Sequence, residues 1–132
     1  MHFSYNQKRK GNSYAQRSVA MGPRGMVASS QQLATLAGYK ALSSGGNAVD
    51  AAVAMVSTLS VVEPFSVGIG GDAFGLIYLA KEDKVMGMNA SGRAPYDASI
   101  AWFHDRGIES MPERGILSVT VPGGLHGWAQ AV

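Results

Sequence analysis

The tripeptide Gly45-Gly46-Asn47 constrains this chain more than any other stretch, because it must end one helix and begin the next. Glycine takes the left-handed backbone conformation at a helix C-terminus without a Cβ clash, so Gly45-Gly46 closes the helix before it. Asn47 then stands where its side chain accepts from the free N–H groups of the following first turn. Asp50, three residues on, completes an acidic form of the capping box. Its charge also suits the positive end of the helix dipole.

Both flanking segments carry the helical period. Over residues 31–44, Ala34, Ala37, Gly38 and Ala41 share one face, which predicts close helix packing, while Gln32, Thr35, Tyr39 and Ser43 share the other. Ser30 is the expected N-cap. From residue 48 to 62, Ala51, Ala52, Met55 and Leu59 line one side, and Val49, Val53 and Val56 wrap round the other. A helix apolar nearly all round is a buried one. Glu63 precedes Pro64, which drives it out of the α region and stops the helix. A second glycine loop follows, Gly68-Ile69-Gly70-Gly71-Asp72, in which Asp72 is expected to hold the loop by accepting from its amides.

The remaining elements read as strands and short helices. Residues 25–29 suit a short buried strand. In 72–79, Phe74, Leu76 and Tyr78 alternate with Ala73, Gly75, Ile77 and Leu79, so both faces are apolar, as in a central strand covered by two layers. A polar turn at Lys81-Glu82-Asp83 and a second run over 84–88 complete an antiparallel hairpin. Residues 97–106 suggest a short amphipathic helix with Ile100, Ala101 and Phe103 inward, ended by Gly107. A strand is expected over 116–121, stopping at Pro122-Gly123-Gly124, and a helix from near Leu125 reaches the last residue, Val132. The expectation is therefore an N-terminal portion of a longer protein, with a polar arm over residues 1–24 and an incomplete domain over 25–132.

Composition excludes several function classes. With 46% apolar residues in 132, the chain is globular, and its net charge of +2 is concentrated in Lys8, Arg9, Lys10, Arg17 and Arg24 of the arm. That is too little for a nucleic-acid footprint, so no nucleic-acid partner is expected. There is no cysteine, which removes disulfide, thiolate and Cys-zinc chemistry. The N-terminal charges lack an apolar run behind them, and the longest apolar run, 51–62, is shorter than a bilayer span. No membrane span and a cytoplasmic location are the expectations.

Candidate chemistry is sparse. The Gly68 loop could suggest a phosphate cradle, yet it follows a helix and precedes a strand, the reverse of the cradle's order. A tight turn is the stronger interpretation. Asp50, Glu63 and Asp72 each have a structural task in view, which outweighs an acid/base set. His2, His104 and His126 lack paired ligand spacing, so no metal and no cofactor is expected. Arg93, in Ser91-Gly92-Arg93-Ala94-Pro95, follows the hairpin where a loop emerges, and its guanidinium can grip a carboxylate with two parallel hydrogen bonds.

Taken in order, Gly25-Met26-Val27-Ala28-Ser29-Ser30-Gln31, Gly45-Gly46-Asn47-Ala48-Val49-Asp50-Ala51-Ala52-Val53-Ala54, Val62-Glu63-Pro64, Gly68-Ile69-Gly70-Gly71-Asp72, Ala94-Pro95 and Val121-Pro122-Gly123 form a specific series. From about Ser13 onward the chain resembles the N-terminal part of the large subunit of γ-glutamyltranspeptidases. The resemblance implies an α+β fold, the αββα sandwich of N-terminal-nucleophile hydrolases, of which only the N-terminal portion is present. It implies a self-cleaving precursor whose freed threonine attacks the γ-glutamyl amide of glutathione-like compounds, its own α-amine acting as base, and passes the acyl group to water or an amine.

Two departures accompany the resemblance. The family's nucleophile opens the small subunit in a Thr-Thr-His or Thr-Ser-His context, and this chain has none; Thr58 and Thr120 stand elsewhere. These 132 residues alone are therefore expected to be inactive. Familiar members place a carboxylate-binding arginine four positions before the proline, where this chain has Ser91, whereas Arg93 stands two before it. That placement resembles acylase-like members, and Arg93 is the one candidate for substrate binding; no catalytic residue is assigned. The expected partners are a small subunit or the C-terminal remainder of the precursor, and a γ-glutamyl or acyl-amide substrate. The alternatives are a noncatalytic scaffold for a separately encoded small subunit, or a nucleotide-binding module built on the Gly68 loop.

Overall fold

The computed structural model describes residues 18–132, so most of the arm expected over 1–24 lies outside the described residues. The elements run α1 (Gln32–Ser43), α2 (Ala48–Val62), β1 (Ala73–Leu79), β2 (Lys84–Ala90), α3 (Ile100–His104), a 3-10 turn (Ile116–Ser118) and α4 (Gly124–Ala131).

The turn between α1 and α2 forms as its residues dictate. Gly45 has φ +94°, and Gly46 N–H donates to the Ala41 carbonyl at 3.0 Å. Asn47 Oδ1 accepts from Val49 N (2.7 Å) and Asp50 N (3.1 Å), while Asp50 Oδ2 accepts from Asn47 N at 2.7 Å. This reciprocal box starts α2, and Asn47→Ala is expected to cost about 1 kcal/mol. A chemical-denaturation midpoint lowered by Asn47→Ala but little changed by Asn47→Asp would bear this out; an unshifted midpoint for the alanine variant would refute it.

The two helices pack through their smallest residues. Ala34 and Gly38 are buried, Ala51 is 1% exposed, and a Cβ on Gly38 would come within 2.6 Å of Met55 Cγ. The N-cap of α1 is Gln31 rather than Ser30: Gln31 Oε1 accepts from Leu33 N (2.5 Å) and Ala34 N (3.3 Å). Ser30 Oγ instead donates to Glu63 Oε2 at 2.6 Å, tying the start of α1 to the end of α2. A charged acceptor across the helix pair displaces the local cap, because a charge-assisted bond is the stronger one.

β1 and β2 pair antiparallel from Ala73↔Ala90 to Leu79↔Lys84. The turn places Asp83 at φ +48°, and Tyr78 Oη donates to Asp83 Oδ1 at 2.8 Å. That bond, with a smaller contribution from desolvation, holds the phenol above its ordinary pKa. α4 packs on the sheet face that carries Ala73, Met88 and Ala90, where a Cβ on Gly127 would run into Ala90 Cβ. Trp128 of the same helix is 7% exposed.

The two-layer cover expected for β1 is present on one face only. Phe74, Leu76 and Tyr78 are 69%, 83% and 61% exposed on the other. A groove of about 640 Å³ lies between β1 and α2, lined by Ala52, Val53, Val56, Leu76 and Trp128 among others. Among the described residues the buried apolar side chains are few: Ala34, Ala51, Ala90 and Trp128.

Three further expectations are corrected. Residues 25–29 are extended but pair with no described strand, so no ladder forms. The strand expected over 116–121 is a 3-10 turn followed by extended chain that joins no described sheet, because Gly115 at φ +94° redirects the backbone and Ser118 Oγ closes on the Gly115 carbonyl at 2.8 Å. In α3, Ile100 and Ala101 are exposed, and the half-buried side chains are Trp102 and Phe103. Those rings stand edge to face at 5.0 Å, with the Arg106 guanidinium 3.9 Å over Trp102. Gly107 ends this turn as expected, its φ at +70°.

Candidate functional site

The end of the hairpin that bears Ala73 and Ala90 is where separate parts of the chain meet. Gly68 to Gly71 close a tight turn, Gly71 N–H donating to the Gly68 carbonyl at 3.2 Å. The Gly71 carbonyl then accepts from Gly123 N (3.2 Å) and Gly124 N (2.7 Å). Helix α4 has no side-chain cap, so this carbonyl satisfies N–H groups that a helix start otherwise leaves open. Close backbone approach thus occurs at Gly71, whereas Cβ atoms on Gly68 or Gly70 would meet open space.

Asp72 does not hold its own loop, as the residues had suggested. Its Oδ1 accepts from Gly92 N at 2.7 Å and from Thr120 Oγ1 at 3.3 Å, bridging to two segments further along the chain. Those segments also join each other, since Val121 N donates to the Arg93 carbonyl at 3.0 Å. Asn89 Oδ1 accepts from Ser91 N (3.0 Å) and Ser91 Oγ (2.7 Å), fixing the chain as it leaves β2. The crossing admits only glycine: a Cβ on Gly92 would strike the Val121 carbonyl oxygen, and one on Gly123 the Ala90 carbonyl oxygen.

Arg93 therefore projects from backbone that is pinned on both sides, by the Gly92 amide before it and by its own carbonyl. It is exposed. An exposed guanidinium on a fixed stem is equipped to bind a carboxylate from solution, its planar fork needing little reorganisation.

The other residues singled out from the sequence do not assemble into a catalytic group. Asp50 and Glu63 begin and end α2, which at a helical rise separates them by roughly 20 Å, and both have the structural partners already described. Thr58 Oγ1 donates to the Ala54 carbonyl at 2.8 Å within α2, and Thr120 is engaged with Asp72. His104 and His126 are exposed, and His2 lies outside the described residues. Among the described residues, no group of three His, Cys, Asp or Glu is placed to hold a metal ion, and no helix is long and apolar enough to cross a membrane.

What the sequence did not reveal is the junction itself. Its only sequence signal is the recurrence of glycine beside small polar residues at three places, Gly71-Asp72, Ser91-Gly92 and Thr120 to Gly124. Each alone reads as a turn. Their convergence depends on partners 20 and 48 residues apart.

The profile of the family described as gamma-glutamyltranspeptidase matches residues 34–132. A glutathione hydrolase-like proenzyme of Bacillus subtilis is 40% identical over 109 residues, covering 82% of this chain and 20% of the relative. Among solved structures, cephalosporin acylase from Bacillus halodurans superposes with a TM-score of 0.81 and 41% identity, over 96% of this chain and 24% of that one. The γ-glutamyltranspeptidase of Helicobacter pylori does so with a TM-score of 0.76 and 34% identity, over 86% and 33%. The chain spans about a fifth of the length of the curated relatives it matches. Its mixed α and β structure corresponds to a portion of these enzymes.

Proposed function

The chain belongs to the γ-glutamyltranspeptidase family, and from that premise we propose that it is the N-terminal part of an amidohydrolase or acyltransferase acting on γ-glutamyl or related acyl amides. Residues 25–132 form the first portion of the large subunit of an αββα N-terminal-nucleophile hydrolase. The threonine that attacks the amide belongs to a later part of the precursor, freed by self-cleavage, and is the partner these residues scaffold. The profile match across residues 34–132 is the observation that supports this most strongly.

A specific observation favours the acylase branch over strict glutathione chemistry. Arg93 stands two positions before Pro95, with Ser91 at the place where glutathione-cleaving members carry their arginine. Similarity to the cephalosporin acylase points the same way. In either branch Arg93 binds the substrate carboxylate and leaves the chemistry to other residues.

Losing one charge-assisted carboxylate contact of about 1.5–3 kcal/mol raises KM by roughly 10- to 100-fold. Because the contact is made equally in the ground state and the transition state, kcat is expected to change little in Arg93→Ala of the full-length protein. Steady-state kinetics on a γ-glutamyl anilide and on the same anilide without its α-amino group checks both points. An unchanged KM removes Arg93 from the site, and a higher kcat/KM for the γ-glutamyl compound removes the acylase preference. Neither anilide is expected to be cleaved by the 132 residues alone, and turnover there would defeat the division of labour proposed above.

A further inference from the structure

We infer that Asp72 is the positioning residue for Arg93, setting where its guanidinium meets the substrate carboxylate by holding the Gly92 amide; this rests on the proposal that Arg93 binds that carboxylate. The geometry is direct. Asp72 Oδ1 is 2.7 Å from Gly92 N, the peptide nitrogen immediately before Arg93. Thr120 Oγ1 donates to the same oxygen at 3.3 Å. Val121 N, next in the chain after Thr120, holds the Arg93 carbonyl at 3.0 Å.

The carboxylate therefore holds the Ser91–Gly92 peptide unit, one residue before Arg93, directly, and the Arg93–Ala94 unit through Thr120 and its neighbour. Arg93 is exposed and has a long flexible side chain, so packing does not place its head group. Its backbone does. A bidentate grip on a carboxylate tolerates little displacement, so an error in the stem passes into affinity. Asp72 is also the residue that opens into β1, which joins the arginine loop to the rigid hairpin rather than to another loop.

The experiment is a double-mutant cycle on KM and kcat in the full-length protein, with a carboxylate-bearing anilide and an analogue lacking the carboxylate. Asp72→Ala is expected to raise KM about tenfold for the first substrate, with kcat within twofold and no change for the second. Asp72→Asn keeps an oxygen acceptor for the Gly92 amide and is expected to restore KM to within about threefold of the parent. On an Arg93→Ala background, Asp72→Ala is expected to add nothing further.

A raised KM in Arg93→Ala beside a parental KM in Asp72→Ala would overturn this inference while leaving Arg93 in its role. A parental KM in Arg93→Ala would defeat the carboxylate proposal and the inference with it. Additive effects of the two substitutions would also overturn it, because Asp72 would then act by another route. Should Asp72→Ala not fold, Thr120→Val carries the test, since it removes the hydroxyl that steadies the Asp72 carboxylate. A KM raised about threefold supports the inference there, and an unchanged KM defeats it.

Discussion

Gly92→Ala is expected to destabilise the protein by about 3 kcal/mol, the upper range for forcing a methyl into a site without room. The obstacle is the Val121 carbonyl oxygen, part of the backbone, which cannot rotate away as a side-chain tip can. Relief requires the 119–124 segment to move. That movement strains the Val121 bond to Arg93 and the Gly123 and Gly124 bonds to Gly71 together. Against this stands a gain of about 0.4–1 kcal/mol from the stiffer unfolded chain, too small to offset the loss. Gly68→Ala is the control, because a Cβ there meets nothing within 4 Å. Chemical denaturation of both variants checks the contrast, and equal midpoints would show that the crossing yields more easily than its geometry implies.

The second large effect concerns association. Expressed as these 132 residues, of 13.8 kDa, the chain is expected to self-associate and to bind a hydrophobic dye. Phe74, Leu76 and Tyr78 form an exposed apolar face on β1, and one edge of that strand pairs with no described strand. An open edge beside an apolar face is a template for pairing with another chain. Replacing Phe74 and Leu76 by lysine is expected to shift light-scattering masses toward the monomer. A monodisperse, cooperatively unfolding monomer of the unaltered sequence would refute the expectation.

What could be read from the sequence follows the range of the interaction. The Asn47–Asp50 box, the limits of α2 and the pairing of the hairpin are local, and each formed where its residues indicated. Several of the failures involve distant partners. Ser30 has a good N-cap side chain, but Glu63 is 33 residues away and takes its hydroxyl. Residues 116–121 have strand-like composition, yet a strand exists only where a second one offers a ladder, and Gly115 turns this segment aside. Both faces of β1 are apolar, which states a need for cover without saying which part of the chain provides it.

The candidate site divides the same way. Arg93 was visible as an arginine in a loop between glycine and proline. Its relation to Asp72 was not, because nothing in Gly70-Gly71-Asp72 indicates an acceptor aimed at an amide 20 residues on. The order of glycine motifs identified the family more readily than it identified contacts between them.

The span of the Asp72 tie has a consequence for how the protein is made. Every residue of α1 and α2, with their caps and the Ser30–Glu63 tie, is available once residue 63 has left the ribosome. Thr120 is synthesised 57 residues later, which at ordinary elongation rates is about 3–11 s. For that interval the residues of the helical pair are all present, whereas the Arg93 loop, once made, still lacks Thr120 and the Val121 amide that hold it. Synthesis therefore supplies every residue of the helical pair well before it supplies the residues that fix the Arg93 loop.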